Sequence, residues 1–472
     1  MTMELWWIMR QELSITVLLF MVLFVGMFGR LRPTSLLALV QFGLLTCLVL
    51  PWMGSLPFAG LFGKMYLVTP VAVIQKWILV LGAYLISLLF QSWFKSFAHL
   101  PEFFVLLLAA LLGMHVMISA NHLLSFWLGL ELATIPLAAM VNLEVHKRAS
   151  SEAAMKMILS SALASGIMLF GISLLYGASG TLDFEGLQST LLATDGLVLL
   201  GAVMVVASLS FKVSVVPFHF WTADVYEGAS MPVAAVLSVI SKAAAAFVLL
   251  VLVHRVFAGL LSAMVWMISL LAVATMTIGN IFALRQRVWK RFLAFSSIAQ
   301  VGFILIAVVG VQPQGEAAVI YFLFVYLFAN IVAFAVGSIL EQSSGELITL
   351  DHFKGLYHRH PVLAWTLALA LFSLAGIPPT AGFFGKLFLL QAAASNGAYV
   401  LVAVAGLNMV LSLFYYLRVV RFMFMEPAKL PTEAKLSVER MTLLGLAISI
   451  AGLLLAGMWS WGYDFILQLF NF

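Results

Sequence analysis

Fourteen apolar stretches fill almost the whole of this 472-residue chain, near residues 13–29, 35–53, 71–91, 103–119, 123–143, 153–176, 196–220, 230–253, 261–283, 289–310, 317–340, 361–393, 398–424 and 441–460. Each has at least the ~17 residues that carry a helix across a hydrocarbon core. Hydrophobic residues make up 64% of the sequence and charged residues 9%, more apolar surface than a soluble domain can hide. The expected fold is an all-α integral membrane protein with about fourteen transmembrane helices. The opening MTMELWWIMRQEL runs directly into the first stretch, so no cleavable leader is expected.

Basic residues give this count a side. Sixteen of them, Arg30, Arg32, Lys95, Lys147, Arg148, Arg285, Arg287, Lys290, Arg291, Lys354, Arg359, Arg418, Arg421, Lys429, Lys435 and Arg440, follow odd-numbered stretches, against Arg10, Lys64 and Arg255 on the other side. The excess of basic residues in cytoplasmic loops places both termini outside the cytoplasm. The formal charge of +5 thus has a topological origin and implies no nucleic-acid partner.

Five lysines remain inside apolar stretches: Lys76, Lys156, Lys212, Lys242 and Lys386. A lysine loses its proton when burial disfavours the cation, whereas arginine stays charged, so buried lysines can load and release protons. The five differ in depth. Lys76 stands about 9 Å of helix from the end of its stretch, within reach of the interface for a snorkelling side chain, and is expected to be an interfacial anchor. Lys156 is equally shallow but has Ser160, Ser161 and Ser165 on nearby faces. Lys242 lies mid-stretch among alanines that admit a neighbouring helix closely. Lys212 and Lys386 each accompany a break.

In VVASLSFKVSVVPFHFW, Pro217 follows Lys212 by five residues; in LALALFSLAGIPPTAGFFGKLFLLQ, Pro378 and Pro379 precede Lys386. Helices interrupted at membrane depth persist only where protein or water satisfies the freed backbone, and two in matching places point to inverted repeats. Pro217, Pro378 and Pro379 are therefore candidate hinges. Stretches four to eight (103–255) and nine to thirteen (256–425) form two inverted five-helix repeats, flanked by three N-terminal helices (1–102) and a last helix (426–472). Ordinary proline kinks need no buried lysine beside them. Glu131, central in LLSFWLGLELATIPL, is the natural counter-ion for Lys212. His254, twelve residues beyond Lys242, would take a proton only through water or another helix, or sits at the interface beside Arg255. Ser296, Ser297 and Gln300 could hold water, although back-bonded serines are the common case. His219, Asp224 and Glu227 are expected to hold the loop after the first break, and Glu144 to join a solvated cluster with His146, Lys147 and Arg148.

Several chemistries find no residues here. Cys47 is the one cysteine, which excludes intrachain disulfides, thiolate zinc sites and iron–sulfur ligation. Gly385–Lys386 lacks the preceding glycine and the following Ser/Thr of a phosphate-binding loop.

The segments FKVSVVPFHFWTADVYEGA, LELATIP, SVISKAAAAF, WKRFLAFSSIAQVGFILIA and GIPPTAGFFGKLFLL resemble the antiporter-like subunits of respiratory complex I, over residues 100 to 425. The likeness is greatest to the N-type branch: lysine at 386 departs from the M type, usually glutamate there, and the chain lacks the long lateral helix of the L type. The resemblance implies a bacterial inner-membrane subunit that translocates protons beside small K-type and M-type neighbours, without a cofactor of its own. NADH, FMN, iron–sulfur clusters and quinone would belong to partner subunits. It makes Glu131 and Lys212 a coupled pair, Lys242 the central relay, Lys386 the exchanger with the far side, and Lys156 a modulating lysine. Ala223 stands where relatives commonly have proline, and Gln300 where they often have histidine. Multi-subunit sodium/proton antiporters and hydrogenase-linked complexes share these motifs and are the alternatives.

Overall fold

The computed structural model describes residues 6–29, 32–54, 56–191, 196–310, 312–426, 438–458 and 461–471. Arg30, Lys429 and Lys435 of the basic set lie outside the described residues. Helices α1 (Arg10–Phe28), α2 (Pro33–Val49), α3 (Pro70–Leu89), α4 (Leu100–Ile118), α5 (Leu123–Val141), α6 (Arg148–Ser179) and α7 (Gly196–Val213) lead to the first break, followed by the short α8 (Phe220–Gly228). Next come α9 (Met231–Val256), α10 (Leu261–Arg285), α11 (Trp289–Val308) and α12 (Gln314–Ser344). The second broken span is α13 (Pro361–Ala375) with α14 (Ala381–Ser395), and α15 (Tyr399–Met425), α16 (Arg440–Met458) and α17 (Trp461–Gln468) close the chain. Among the described residues 13 helices are long and apolar enough to cross a bilayer; α13 and α14 together supply the remaining crossing.

Lipid is as apolar as leucine, so burial rather than amphipathicity tells inner helices from outer ones. In α9, α11 and α12, 94% of the span is buried within the chain, against 22% in α6 and 28% in α1 and α10. The first three are the centre. Glycines set the closest contacts around them. A Cβ on Gly113 of α4 would lie 2.4 Å from the Ala133 backbone nitrogen of α5, and one on Gly129 of α5 2.6 Å from that of Met117. The pair α10–α11 repeats the device, with Gly279 against Ala299 and Gly302 against Met276, each at 2.6 Å.

A small antiparallel hairpin, β1 (Ala59–Leu61) and β2 (Tyr66–Val68), adds to the all-α frame. Its turn places Phe62, Gly63 and Lys64 at positive φ. It lies on the face where α1 begins, with Ile8 packed on Tyr66 and Val68 of the hairpin, and where the Trp52 and Phe465 rings meet, centroids 6.3 Å apart. That side is called the terminal face below.

Lys76 is not an interfacial anchor. It is fully buried, donates to Glu12 Oε1 of α1 at 2.6 Å and to Tyr66 Oη of β2 at 3.1 Å. Depth along one helix suggested snorkelling; the hairpin and α1, brought in by the fold, cover the ammonium and supply its acceptors instead.

Candidate functional site

The first break is stabilised by neighbours. Ser214 takes positive φ, 73°, and Val215 N–H returns to Ser210 O at 2.9 Å. Val216 N–H donates to Thr275 Oγ1 of α10 at 3.1 Å, Trp221 Nε1 to Phe211 O at 3.1 Å, and Thr222 Oγ1 to Ser214 Oγ at 2.7 Å. The Val215, Val216 and Phe211 backbone groups thus find partners outside the regular ladder, and the Thr222–Ser214 bond ties the two sides of the break, so non-helical backbone survives at depth.

Lys212 ends α7 with its side chain buried. Its Nζ donates to Thr134 Oγ1 of α5 at 2.6 Å, and Thr134 in turn donates to Leu130 O at 2.6 Å. The expected direct pair with Glu131 is absent: no ion pair within 4.0 Å joins the two. Glu131 instead accepts from Ser165 Oγ of α6, which itself accepts from Trp127 Nε1 at 2.9 Å. Thr134 lies nearly one helical turn beyond Glu131 on the buried side, while Glu131 is half-buried and turned toward α6. Nothing in the spacing separated the two, and a threonine inside a helix carries no signal of its own.

Lys156 takes a different place from the other candidates. It is 44% exposed and pairs with Glu152 at 2.8 Å and Asp224 at 2.9 Å. Arg291 of α11 binds the same Asp224 at 2.8 Å and Glu227 at 2.7 Å, so α8 is clamped from both sides. The expected loop-holding role of Asp224 and Glu227 is realised here. Burial pushes the Asp224 carboxyl up, but the Lys156 and Arg291 cations outweigh it and hold the group below its ordinary value.

At the centre, α9 changes to a π-helical turn over Val236–Ser241 immediately before Lys242, a local unwinding that recurs at functional sites. Lys242 Nζ donates to Ser297 Oγ of α11 at 2.6 Å and lies 5.5 Å from the centre of the Tyr226 ring. Ser297 is back-bonded to Ala294 O at 2.7 Å, as expected, yet also receives the lysine. Ser296 beside it meets Tyr416 Oη of α15 at 2.5 Å, and Gln300 Nε2 donates to Tyr416 Oη at 3.2 Å and to Leu374 O at 3.1 Å.

Leu374 O is also the acceptor for Lys386 Nζ, at 2.8 Å. Lys386 stands beyond the second break and reaches back to cap the open carbonyl end of α13, with the Phe303 ring 4.9 Å away. Gly376 turns the chain at φ +84°, and Gly382 packs so close that a Cβ would fall 1.8 Å from Ser373 O. Polar groups thus run from Lys242 to Ser297 and, from the adjacent Ser296, through Tyr416 and Gln300 to the Leu374 carbonyl that holds Lys386. Tyr416 was not foreseen, because a tyrosine on a lipid-rich helix reads as an interface residue.

Cavities open toward both faces. One of about 460 Å³ lies beside the end of α8, lined by Glu144, Lys147, Glu227, Ser230, Lys290 and Glu341 among others. Lys290 is nearly buried there and donates to Ala229 O at 2.9 Å, at the joint between α8 and α9. The other, also about 460 Å³, opens on the terminal face and includes Gln75, Arg255, Gln312 and Glu316. His254 is half-buried, and its Nε2 lies 2.9 Å from the Gln312 amide nitrogen. It therefore meets another helix end rather than Lys242. Among the described residues no cluster of His, Cys, Asp or Glu could hold a metal ion.

Buried ammonium groups bound to hydroxyls and carbonyls rather than carboxylates can give up a proton without leaving an anion alone in the membrane. Residues 120–412 match the family described as NADH:quinone oxidoreductase/Mrp antiporter, transmembrane. NADH-quinone oxidoreductase subunit N of Phocaeicola vulgatus is 44% identical over 409 residues, 86% of this chain and 86% of that protein. A chain of respiratory complex I from Thermus thermophilus superposes with a TM-score of 0.80 at 30% identity, covering 95% of this chain and 97% of that one. A chain of the Mrp complex from Dietzia has the same fold, with a TM-score of 0.80 at 22% identity and 97% of each chain covered.

Proposed function

We infer, from the premise that this chain belongs to the NADH:quinone oxidoreductase/Mrp antiporter transmembrane family, that it is the N-type membrane subunit of an NADH:quinone oxidoreductase and moves protons across the membrane. The relative at 44% identity carries that name, whereas the Mrp complex chain, at 22% identity, is similar in fold. Electron transfer then belongs to partner subunits, which hold the flavin, iron–sulfur clusters and quinone. The complex is an oxidoreductase and translocase; this chain supplies the proton path.

The observation that carries the reading is the line of buried lysines, each bound to a neutral acceptor. Protons enter from the cavity beside α8, which faces the cytoplasm if the basic loops do, and load Lys212. Its acceptor Thr134 lies close in sequence to Glu131, so movement of Glu131 relative to Lys212 sets how firmly the ammonium keeps its proton. Lys242 is next, and the hydroxyls of Ser297, Ser296 and Tyr416 lead toward Lys386. Lys386 delivers to the terminal side. Pro217, Pro378 and Pro379 serve as hinges within repeats 103–255 and 256–425; the paired glycines of α4–α5 and α10–α11 support that division. Lys156 acts through its pair with Asp224 rather than in the line, and His254 serves only the terminal-face cavity. K-type and M-type subunits would flank the chain in a bacterial inner membrane.

The test is the intact complex with Lys212→Ala or Lys242→Ala, reconstituted in vesicles. Proton translocation should be lost while flavin and iron–sulfur clusters still copurify with the chain. Normal translocation in both variants refutes the path.

A further inference from the structure

Glu12 of α1, Lys76 of α3 and His115 of α4 meet at the terminal-face ends of their helices, roofed by Tyr66 of the hairpin. All four are buried, at 3%, 0%, 0% and 5% exposure. Lys76 satisfies itself on Glu12 and Tyr66. His115 does not: its Nδ1 stands 3.7 Å from Glu12 Oε1, beyond hydrogen-bond reach, and neither ring nitrogen has a partner. Glu12 Oε2, Ser119 Oγ and Asn121 Oδ1 are buried and equally open.

An imidazole always has an N–H to donate and, when neutral, a nitrogen to accept. Buried polar atoms are nearly always satisfied by protein or by internal water. Several open atoms together, donors and acceptors both, describe a place built for water. Ser119 and Asn121 follow His115 from the end of α4 toward the terminal face, where Leu67 N–H bonds Ser119 O at 2.7 Å and Asn121 N–H bonds Met65 O at 3.0 Å. The hairpin is thus fastened directly over the cluster.

We propose that this cluster is a second proton-binding site, linked by water to the terminal face and separate from the lysine line, with His115 as the group that takes and returns the proton. With Glu12 and Lys76 charged and His115 neutral, the cluster has no net charge. A proton delivered by water to an imidazole nitrogen makes the cluster singly positive, beside the Glu12 carboxylate, and the same proton leaves to water on the same side. Lys76, Glu12 and Tyr66 are the titratable groups that face the ring. Arg10, next along α1, donates instead to Pro51 O at 2.6 Å. The helices α5 and α9 also pack on α4, but Glu131 turns to Ser165 and Lys242 to Ser297.

Exchange of the His115 ring Cε1 hydrogen for deuterium, followed by mass spectrometry of its peptide from the intact native complex, tests this without reliance on any assignment of catalytic activity. Exchange that rises sigmoidally with pD is expected, and Ser119→Ala should slow it severalfold. No deuterium at any pD over several days means a dry, inert histidine and overturns the site. Exchange unchanged by Ser119→Ala overturns the route past α4. Should that variant not assemble, the native profile alone decides.

Discussion

Thr134 holds the ammonium that the sequence offered to Glu131, and on the proposed path this exchange of partners decides how Lys212 works. A neutral hydroxyl accepts the hydrogen bond without fixing the charge. Thr134→Val keeps shape and removes the acceptor, which leaves a buried donor open at a cost of about 1–3 kcal/mol. Proton translocation, followed by a fluorescent pH probe in vesicles, should slow roughly tenfold, and Thr134→Ser should restore it. The lysines themselves were legible because a cation in an apolar run has few explanations. Their acceptors were not: Ser297 stood out only as a place for water, and Thr134 and Tyr416 belong to types that occur throughout membrane helices, so only the approach of α5, α11 and α15 gives them a role. Lys76 failed for the same reason in reverse: its partner Glu12 lies on another helix, and shallow depth looked like access to water.

Helix pairs depend on where a side chain is missing. At Gly113 a methyl group would press on the Ala133 and Leu132 backbone, which cannot turn aside as a side chain could. Gly113→Ala should destabilise by about 1–3 kcal/mol, read as a lower melting temperature in detergent; Gly166→Ala on α6, with nothing within 4 Å, should lose nothing. The clamp on α8 gives a pH test. Asp224 is held below its ordinary value of 3.8, so its stabilisation is complete above that value and is lost only as pH falls through the lower, folded one. Asp224→Asn should therefore lower stability equally at neutral and mildly alkaline pH, by about 1 kcal/mol or less because the pairs are partly exposed, and the difference should narrow only in strong acid. The spans and breaks were readable because length and proline leave marks in a sequence. The hairpin and the π-helical turn were not: three-residue strands carry too little alternation, and a π turn keeps the same apolar pattern as an α-helix.

Across the whole molecule, one orientation fixes what the path accomplishes. The cavity beside α8 opens among the loops that hold sixteen basic residues in the sequence, and the other opens beside Arg255 on the side with three. If basic loops face the cytoplasm, the proposed path draws protons from the cytoplasm at Lys212 and delivers them outside past Lys386; the reverse placement would turn the same line into a leak inward. The chain is well suited to decide this, since Cys47 is its one cysteine and is buried. On a Cys47→Ala background, Glu185→Cys marks the terminal face, where Glu185 is 65% exposed beside Lys64. Glu346→Cys marks the other face, at an exposed position between α12 and α13. A membrane-impermeant maleimide added to intact spheroplasts should label the first and reach the second only after permeabilisation. Labelling in the opposite order would place the sixteen basic residues outside and remove the direction of transport with them, while leaving the lysine line itself intact.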